Sequence, residues 1–184
     1  MRVISGSAKG RRLQSVPGDL TRPITDRVKE ALFDIIGPDV RDSKWWDVFA
    51  GTGAVGIEAL SRGASAALLT DLNRAPLETI KGNLAHTGLS GRAEVRRADS
   101  LRALAAKPDR QFDYIYVAPP QYRQLWLRCL ETLDANPDWL HTDGWIIAQI
   151  DPREYEPEEF TSLVEFDTRR YGTTLLLFFA RREA

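Results

Sequence analysis

"DVFAGTGAVGIEALSRGA", Asp47 to Ala64, decides how this chain folds. It begins in a compact apolar strand, Trp45 to Phe49, breaks at Gly51-Thr52-Gly53 and resumes as a helix, Ala54 to Ser61. Gly51, Gly53 and Gly56 satisfy G-x-G-x-x-G, and Asp71 follows Gly51 by 20 residues, at the end of the next strand. The physical reading is a strand–turn–helix unit that holds a nucleotide. Glycines are required because a Cβ would block close approach of a ligand, and the helix start offers free N–H groups. The acid closing the next strand is placed to take ribose hydroxyls.

The pattern extends outward on both sides. Ala66 to Thr70 reads as a second strand ending at Asp71. Asn73 caps a helix whose Leu77, Ile80 and Leu84 share a face, and Gly88 closes it. Ala93 to Arg97 is a third strand and Asp113 to Val117 a fourth, followed by a helix over Tyr122 to Leu133. Trp145 to Ile150 is a fifth; Leu163 to Tyr171 and Thr174 to Phe179 form an antiparallel pair joined at Gly172. Upstream, Thr25 or Asp26 starts a helix with Ile24, Val28, Leu32, Ile35 and Ile36 on one stripe, ended by Gly37-Pro38. Residues 2–16 alternate loosely around Gly6 and Gly10, as a short hairpin or two extended pieces would. The expected fold is α/β: a doubly wound, Rossmann-like sheet, mainly parallel, with an antiparallel C-terminal strand. Residues 1–20 would be an N-terminal extension and 21–184 the main domain.

A chain of 184 residues suffices for one such domain. Its charge is uneven. Residues 1–30 carry seven Lys and Arg against three Asp and Glu, and the remainder eighteen against twenty-three. A basic end on an acidic body suits a polyanionic partner, and a solvated basic face is the plainer alternative. Cys129 is the only cysteine, so a disulfide within the chain is impossible and a cysteine-based metal site is not expected. That usage fits a reducing cytoplasm. MRVISGSAKGRR has no apolar core of a signal peptide, and the apolar run Leu175 to Ala180 is too short to span a bilayer.

Two features favour S-adenosylmethionine over NAD. Little chain remains for a dehydrogenase's substrate domain. Asp47 stands four residues before Gly51 and Asp99 ends the third strand, and in adenosylmethionine sites such carboxylates serve the amino group and the adenine amine. Asp99 could equally cap a helix from Leu101 onward.

The fourth strand runs into "FDYIYVAPPQYRQLW", Phe112 to Trp126, a strand that stops at Pro119-Pro120 and restarts as a helix. Such a corner suits an enzyme that methylates an exocyclic amine. The amine is a poor nucleophile because its lone pair is delocalised into the ring. Acceptors for its two N–H bonds draw it toward a tetrahedral geometry, and position it for in-line attack. One acceptor is a backbone carbonyl at the first proline, here Pro119. The other is normally the side chain before the prolines, here Ala118. Gln121 occupies the slot of a base-stacking aromatic, with Tyr122 next.

Arg2 to Arg12 (RVISGSAKGRR), Arg22 to Ile36 (RPITDRVKEALFDII), Asp47 to Ala64 and Phe112 to Pro120 together resemble the RsmD family, methyltransferases of the N2 amine of a guanine in 16S ribosomal RNA. The resemblance spans nearly the whole chain. It implies that the cofactor lies against Asp47, Phe49, Gly51, Thr52, Gly53, Asp71, Leu72, Asp99 and Ser100, and that the corner Ala118, Pro119, Pro120, Gln121 and Tyr122 is catalytic. It implies RNA contacts from Lys9, Arg11, Arg12, Arg22 and Arg27, a small ribosomal subunit or its RNA as partner, and no metal. The family usually reads Asp-Pro-Pro followed by Phe or Tyr, so Ala118 and Gln121 depart from it. Two alternatives stay open: a non-catalytic RNA-binding or ribosome-assembly factor, which Ala118 favours, and a small NAD-dependent oxidoreductase. His86 and His141 have no partner motif. Trp45 and Trp46 are expected in or beside the core, Asp151 to Phe160 as a solvated loop and Arg181-Arg182 as a frayed tail.

Overall fold

The computed structural model describes residues 1–18, 23–121 and 124–183. It holds five α-helices and seven strands: α1 Asp26–Ile36, β1 Lys44–Asp47, α2 Ala54–Ser61, β2 Ala66–Asp71, α3 Arg74–Thr87, β3 Ala93–Arg97, α4 Ser100–Ala105, β4 Phe112–Val117, α5 Leu125–Ala135, β5 Leu140–Ile150, β6 Leu163–Tyr171 and β7 Thr174–Arg181. The chain divides into two compact units, Met1–Ala98 and Asp99–Ala184.

In the first unit β1, β2 and β3 lie in the order β3-β2-β1, all parallel. Consecutive residues of a strand face opposite sides of a sheet. Trp45 and Trp46 are both buried, so β1 is covered on both faces, as a parallel strand requires. The Trp45 ring stacks on Phe33 of α1 at 5.2 Å, and Trp46 Nε1 donates to Thr70 Oγ1 of β2 at 3.0 Å. The expected strand end at Phe49 is corrected: β1 ends at Asp47, and the chain turns at Val48 into the glycine loop.

Helix α1 starts where expected, with Thr25 Oγ1 accepting from Val28 N at 3.2 Å. Its buried face is Val28, Lys29, Leu32, Phe33 and Ile36, and Ile35 is only half-buried. A lysine in that face is the departure from the apolar stripe, and Glu58 of α2 answers it. Every residue of α2 is buried, Glu58 and Ser61 included. Gly56 gives α2 its approach to the sheet: a Cβ there would stand 2.8 Å from the Leu69 side chain of β2. On its other side lie residues 3–8. Ser7 N donates to Ser61 O, Ala8 N to Ser61 Oγ, and Ser61 Oγ to Ser5 O. Gly6 makes this possible, since a Cβ on it would fall 1.8 Å from the Ser61 carbonyl oxygen. Residues 1–13 fold back on themselves through the antiparallel bridge Arg2↔Arg12 and the bonds Val3 N→Arg11 O, Gly10 N→Val3 O and Leu13 N→Met1 O.

In the second unit the order is β4-β5-β7-β6, with β4 and β5 parallel and β7 antiparallel to both β5 and β6. The apolar run of β7, Leu175 to Phe179, is buried because strands flank it on both sides. Edge strand β6 carries Glu165, Asp167, Arg169 and Arg170, charges that discourage pairing with another chain. Strand β5 begins at Leu140, five residues before the expected Trp145, which places His141 in a strand rather than a loop. The expected frayed tail is also corrected. Arg181 belongs to β7 and donates to Leu140 O, and Arg182 donates to Phe160 O, so both guanidiniums close strand ends. The Asp151–Phe160 loop is anchored rather than wholly solvated: Asp151 is buried, accepts from Arg153 N and pairs with its guanidinium.

Candidate functional site

The first unit supplies two carboxylates at the carboxyl ends of neighbouring parallel strands, Asp47 of β1 and Asp71 of β2. That edge is where α/β sheets take ligands. Between them run Gly51, Thr52 and Gly53, the two glycines at φ of +56° and +82°. Asp71 braces this loop: Oδ2 accepts from Gly51 N at 3.2 Å and Oδ1 from Asn73 N at 3.1 Å. Gly53 N donates to Ala50 O at 2.7 Å, closing the turn.

Gly53 is the residue before α2 and has no side chain with which to cap it. Asp47 does so from the strand, Oδ2 accepting from Gly56 N in the first helical turn at 3.3 Å. Asp47 Oδ1, equally buried, has no hydrogen-bond partner among the described residues. A buried carboxylate oxygen left unpaired is costly and calls for a ligand donor. Burial pushes the Asp47 carboxyl up to about 7, with the Gly56 bond pulling it down and Asp71 adding to the rise. An ammonium or amide donor against Oδ1 would satisfy the oxygen and hold the group ionised. The amino group of S-adenosylmethionine has that chemistry, so the residues present fit this cofactor.

The other residues expected at the cofactor fall as follows. Thr52 is buried, its hydroxyl 3.7 Å from Met1 Sδ and its carbonyl accepting from Asn83 Nδ2 at 2.9 Å. Phe49 is half-buried, and Leu72 is 51% exposed, a large apolar side chain open beside Asp71. Asp99 and Ser100 open the second unit. Asp99 caps α4, Oδ1 accepting from Arg102 N at 3.0 Å, which realises the capping alternative. Ser100 lies beside Cys129, whose thiol burial pushes up to about 12 against the opposing pull of the Ser100 hydrogen bond. The corner follows β4, with Ala118, Pro119 and Gln121 half-buried and Pro120 exposed. Tyr122 lies outside the described residues. Helix α5 starts at Leu125, after Gln124 in the left-handed region at φ +50°.

Lys9, Arg11 and Arg12 are exposed on the folded-back N-terminal segment, and Arg27 is exposed on α1; Arg22 lies outside the described residues. An open cavity of about 470 Å³ is lined by Met1, Arg2, Gly10, Arg12, Leu13 and Asp26.

Three polar residues that hold this end together carry no expected role. Glu58 accepts from Ile4 N and Ser5 N (2.9 and 3.1 Å) and pairs with Lys29 at 3.3 Å and Arg62 at 2.8 Å. Lys29 Nζ also donates to Arg2 O. Both side chains are fully buried, and desolvation lowers the Lys29 pKa while Glu58 raises it. Asn83 of α3 bonds both Gln14 and Thr52. The available signal was a polar residue inside an apolar face: Lys29 next to Val28, Glu58 in AVGIEAL, Asn83 between Ile80 and Leu84. Among the described residues no group of His, Cys, Asp and Glu could hold a metal ion, and no helix is long and apolar enough to cross a membrane.

The chain is similar to known proteins. The family described as "Conserved hypothetical protein 95" matches residues 1–180. Ribosomal RNA small subunit methyltransferase D of Escherichia coli (strain K12) is 36% identical over 149 residues, 81% of this chain and 74% of that one. This chain belongs to the RsmD family. YlbH of Bacillus subtilis (strain 168) is 42% identical over 184 residues, 99% of this chain and 100% of its own. The solved Escherichia coli protein yhhF matches with a TM-score of 0.85 at 34% identity, covering 100% of this chain and 98% of that one. The glycine loop, Asp47 and the buried Lys29–Glu58 pair all lie within the span matched to the RsmD family.

Proposed function

We propose that this chain is an S-adenosylmethionine-dependent methyltransferase of small-subunit ribosomal RNA, acting on the exocyclic N2 amine of a guanine. The observation that carries the reading is the unpaired, buried Asp47 Oδ1 beside the Gly51-Thr52-Gly53 loop. Family membership and the name of the Escherichia coli relative support ribosomal RNA as the substrate class.

In this reading Asp47 takes the cofactor's amino group, Asp71 its ribose hydroxyls, and Asp99 its adenine amine, with Thr52 in the loop and Phe49, Leu72 and Ser100 beside it. S-adenosylmethionine supplies a methyl group already activated on a sulfonium. The protein's task is to seat the guanine with its amine in line. The Pro119 carbonyl accepts one N–H. Ala118 offers no side-chain acceptor for the second, and in this reading the Gln121 amide oxygen takes that part. Transfer forms an N–C bond, breaks the S–C bond and releases one proton from the amine. A duplex would bury that amine, so the guanine must be unpaired or flipped out. Residues 1–20, with Lys9, Arg11, Arg12 and Arg27, meet RNA phosphates.

Ala118 favours a second reading, an RNA-binding or assembly factor that keeps the pocket. Incubating the chain with methyl-labelled S-adenosylmethionine and unmodified small subunits separates the two. N2-methylguanosine in the digested RNA supports the enzyme, and cofactor binding without incorporation supports the factor. A chain that binds no S-adenosylmethionine overturns both.

A further inference from the structure

Asn83 ties the basic N-terminal segment to the glycine loop. Its side chain is 1% exposed. Oδ1 accepts from Gln14 N at 2.8 Å and Nδ2 donates to Gln14 O at 3.1 Å, so the amide pairs with Gln14 at both backbone groups, as a neighbouring strand would. The second hydrogen of Nδ2 goes to Thr52 O at 2.9 Å. The peptide between Thr52 and Gly53 is thereby clamped at both ends, its carbonyl by Asn83 and its N–H by Ala50 O. A carboxylate could not donate to these carbonyls, a hydroxyl could not reach all three groups, and an aliphatic residue would leave them buried and unpaired.

We infer that Asn83 is a positioning residue that couples RNA binding to cofactor binding. The inference rests on the function proposed above. Gln14 follows Arg11 and Arg12 by three and two residues, and the exposed guanidiniums are those assigned to RNA phosphate. Leu13, between Arg12 and Gln14, is buried and bonded to Met1 O, so the segment moves as a piece. Phosphates that fix the guanidiniums fix Gln14, and through Asn83 they fix the Thr52–Gly53 peptide that the cofactor needs in one orientation. Coupling of this kind is reciprocal: bound cofactor tightens RNA binding by the same factor.

The test measures binding of labelled S-adenosylhomocysteine to the full chain with and without saturating unmodified small subunits. For the unaltered chain the two dissociation constants should differ by about fivefold or more, the lower end of ordinary allosteric coupling. Asn83→Ala should weaken cofactor binding about tenfold and bring that ratio close to one. Gln14→Pro removes the Gln14 N–H but keeps the Asn83–Thr52 bond; it should bring the ratio toward one with cofactor affinity alone nearly unchanged. Thr79→Ala, on the same helix and bonded only to Ala75 O, controls for lost helix stability and should keep the ratio. Amide exchange on the ligand-free chain gives an independent reading, with Asn83→Ala accelerating the Gln14 and Gly53 N–H groups together. A ratio of one in the unaltered chain, an unchanged ratio in Asn83→Ala, or unaltered exchange at Gly53 overturns the inference and leaves the proposed function standing. Absence of cofactor binding to the unaltered chain overturns the proposed function instead, and the exchange result then judges the clamp alone.

Discussion

Asp47 has one oxygen bonded to the start of α2 and the other bonded to nothing, and both are out of water. Its carboxyl is raised from 3.8 to about 7 by that burial. Between those values the folded chain holds a proton that the unfolded chain has released, so this residue's contribution to stability falls as pH rises from about 4 to 7. Ligand binding runs the other way, because an ammonium needs the carboxylate. Cofactor affinity is therefore expected to weaken as pH falls below 7, approaching tenfold per unit, with one proton released on binding. The free α-amino group, with a pKa of about 7.7–8.0, stays cationic over that range. Asp47→Asn should bind weakly at every pH and lose the slope; calorimetry in two buffers of different ionisation heat counts the proton. A slope retained in Asp47→Asn would assign the titration elsewhere. At the corner, Ala118→Asp supplies the missing acceptor. Turnover on unmodified subunits should rise about 10- to 100-fold with cofactor affinity unchanged, in the range of one hydrogen bond to a charged group. The factor reading predicts no gain.

Among the elements, the buried Lys29–Glu58 pair determines whether residues 1–13 are an arm or part of the fold. Glu58 accepts from Ile4 and Ser5 while neutralising Lys29, which in turn holds Arg2 O. Glu58→Gln leaves an ammonium buried without its anion. Breaking such a pair costs roughly 3–5 kcal/mol, and replacing both partners with apolar residues can be nearly neutral. Urea unfolding should show that loss for Glu58→Gln and recover most of it in Lys29→Met/Glu58→Leu. The double variant should nevertheless lose order at Ile4 and Ser5, since the acceptor of their N–H groups is gone. This pair also shows what a sequence yields. Helix α2 and strands β2 and β3 could be read to within a residue, because glycines and an apolar run punctuate them, and the Gly51–Asp71 spacing suggested a nucleotide site. What Glu58 and Asn83 bond in the N-terminal segment, by contrast, lies 53 to 69 residues away and leaves no local pattern. The strand starting at Leu140 was missed for a related reason. His141, Thr142 and Asp143 look like a loop, and they enter β5 as the irregular stretch between Leu140, paired with Phe112, and Trp145, paired with Tyr114.

Over the whole molecule, charge decides how a polyanion can approach. Residues 31–184 carry more acid than base, so in the proposed function RNA would be attracted mainly by the N-terminal segment, whose Lys9, Arg11 and Arg12 are exposed and whose residues 7 and 8 are bonded to α2. Neutralising phosphates releases counterions, and the logarithm of affinity falls linearly with the logarithm of salt concentration by about one unit of slope per contact. Arg11→Ala/Arg12→Ala should therefore weaken binding to unmodified small subunits and reduce that slope by about two, as filter binding over a salt series would show. Cofactor affinity without RNA should stay the same, because neither guanidinium touches the glycine loop. The companion pair Arg181 and Arg182, bonded to backbone carbonyls of the second unit, should leave the slope unchanged when each is replaced by glutamine, which removes the charge and keeps an N–H donor. If the two pairs changed the slope equally, attraction would come from overall charge, and the N-terminal segment would lose its assignment as the RNA-facing surface.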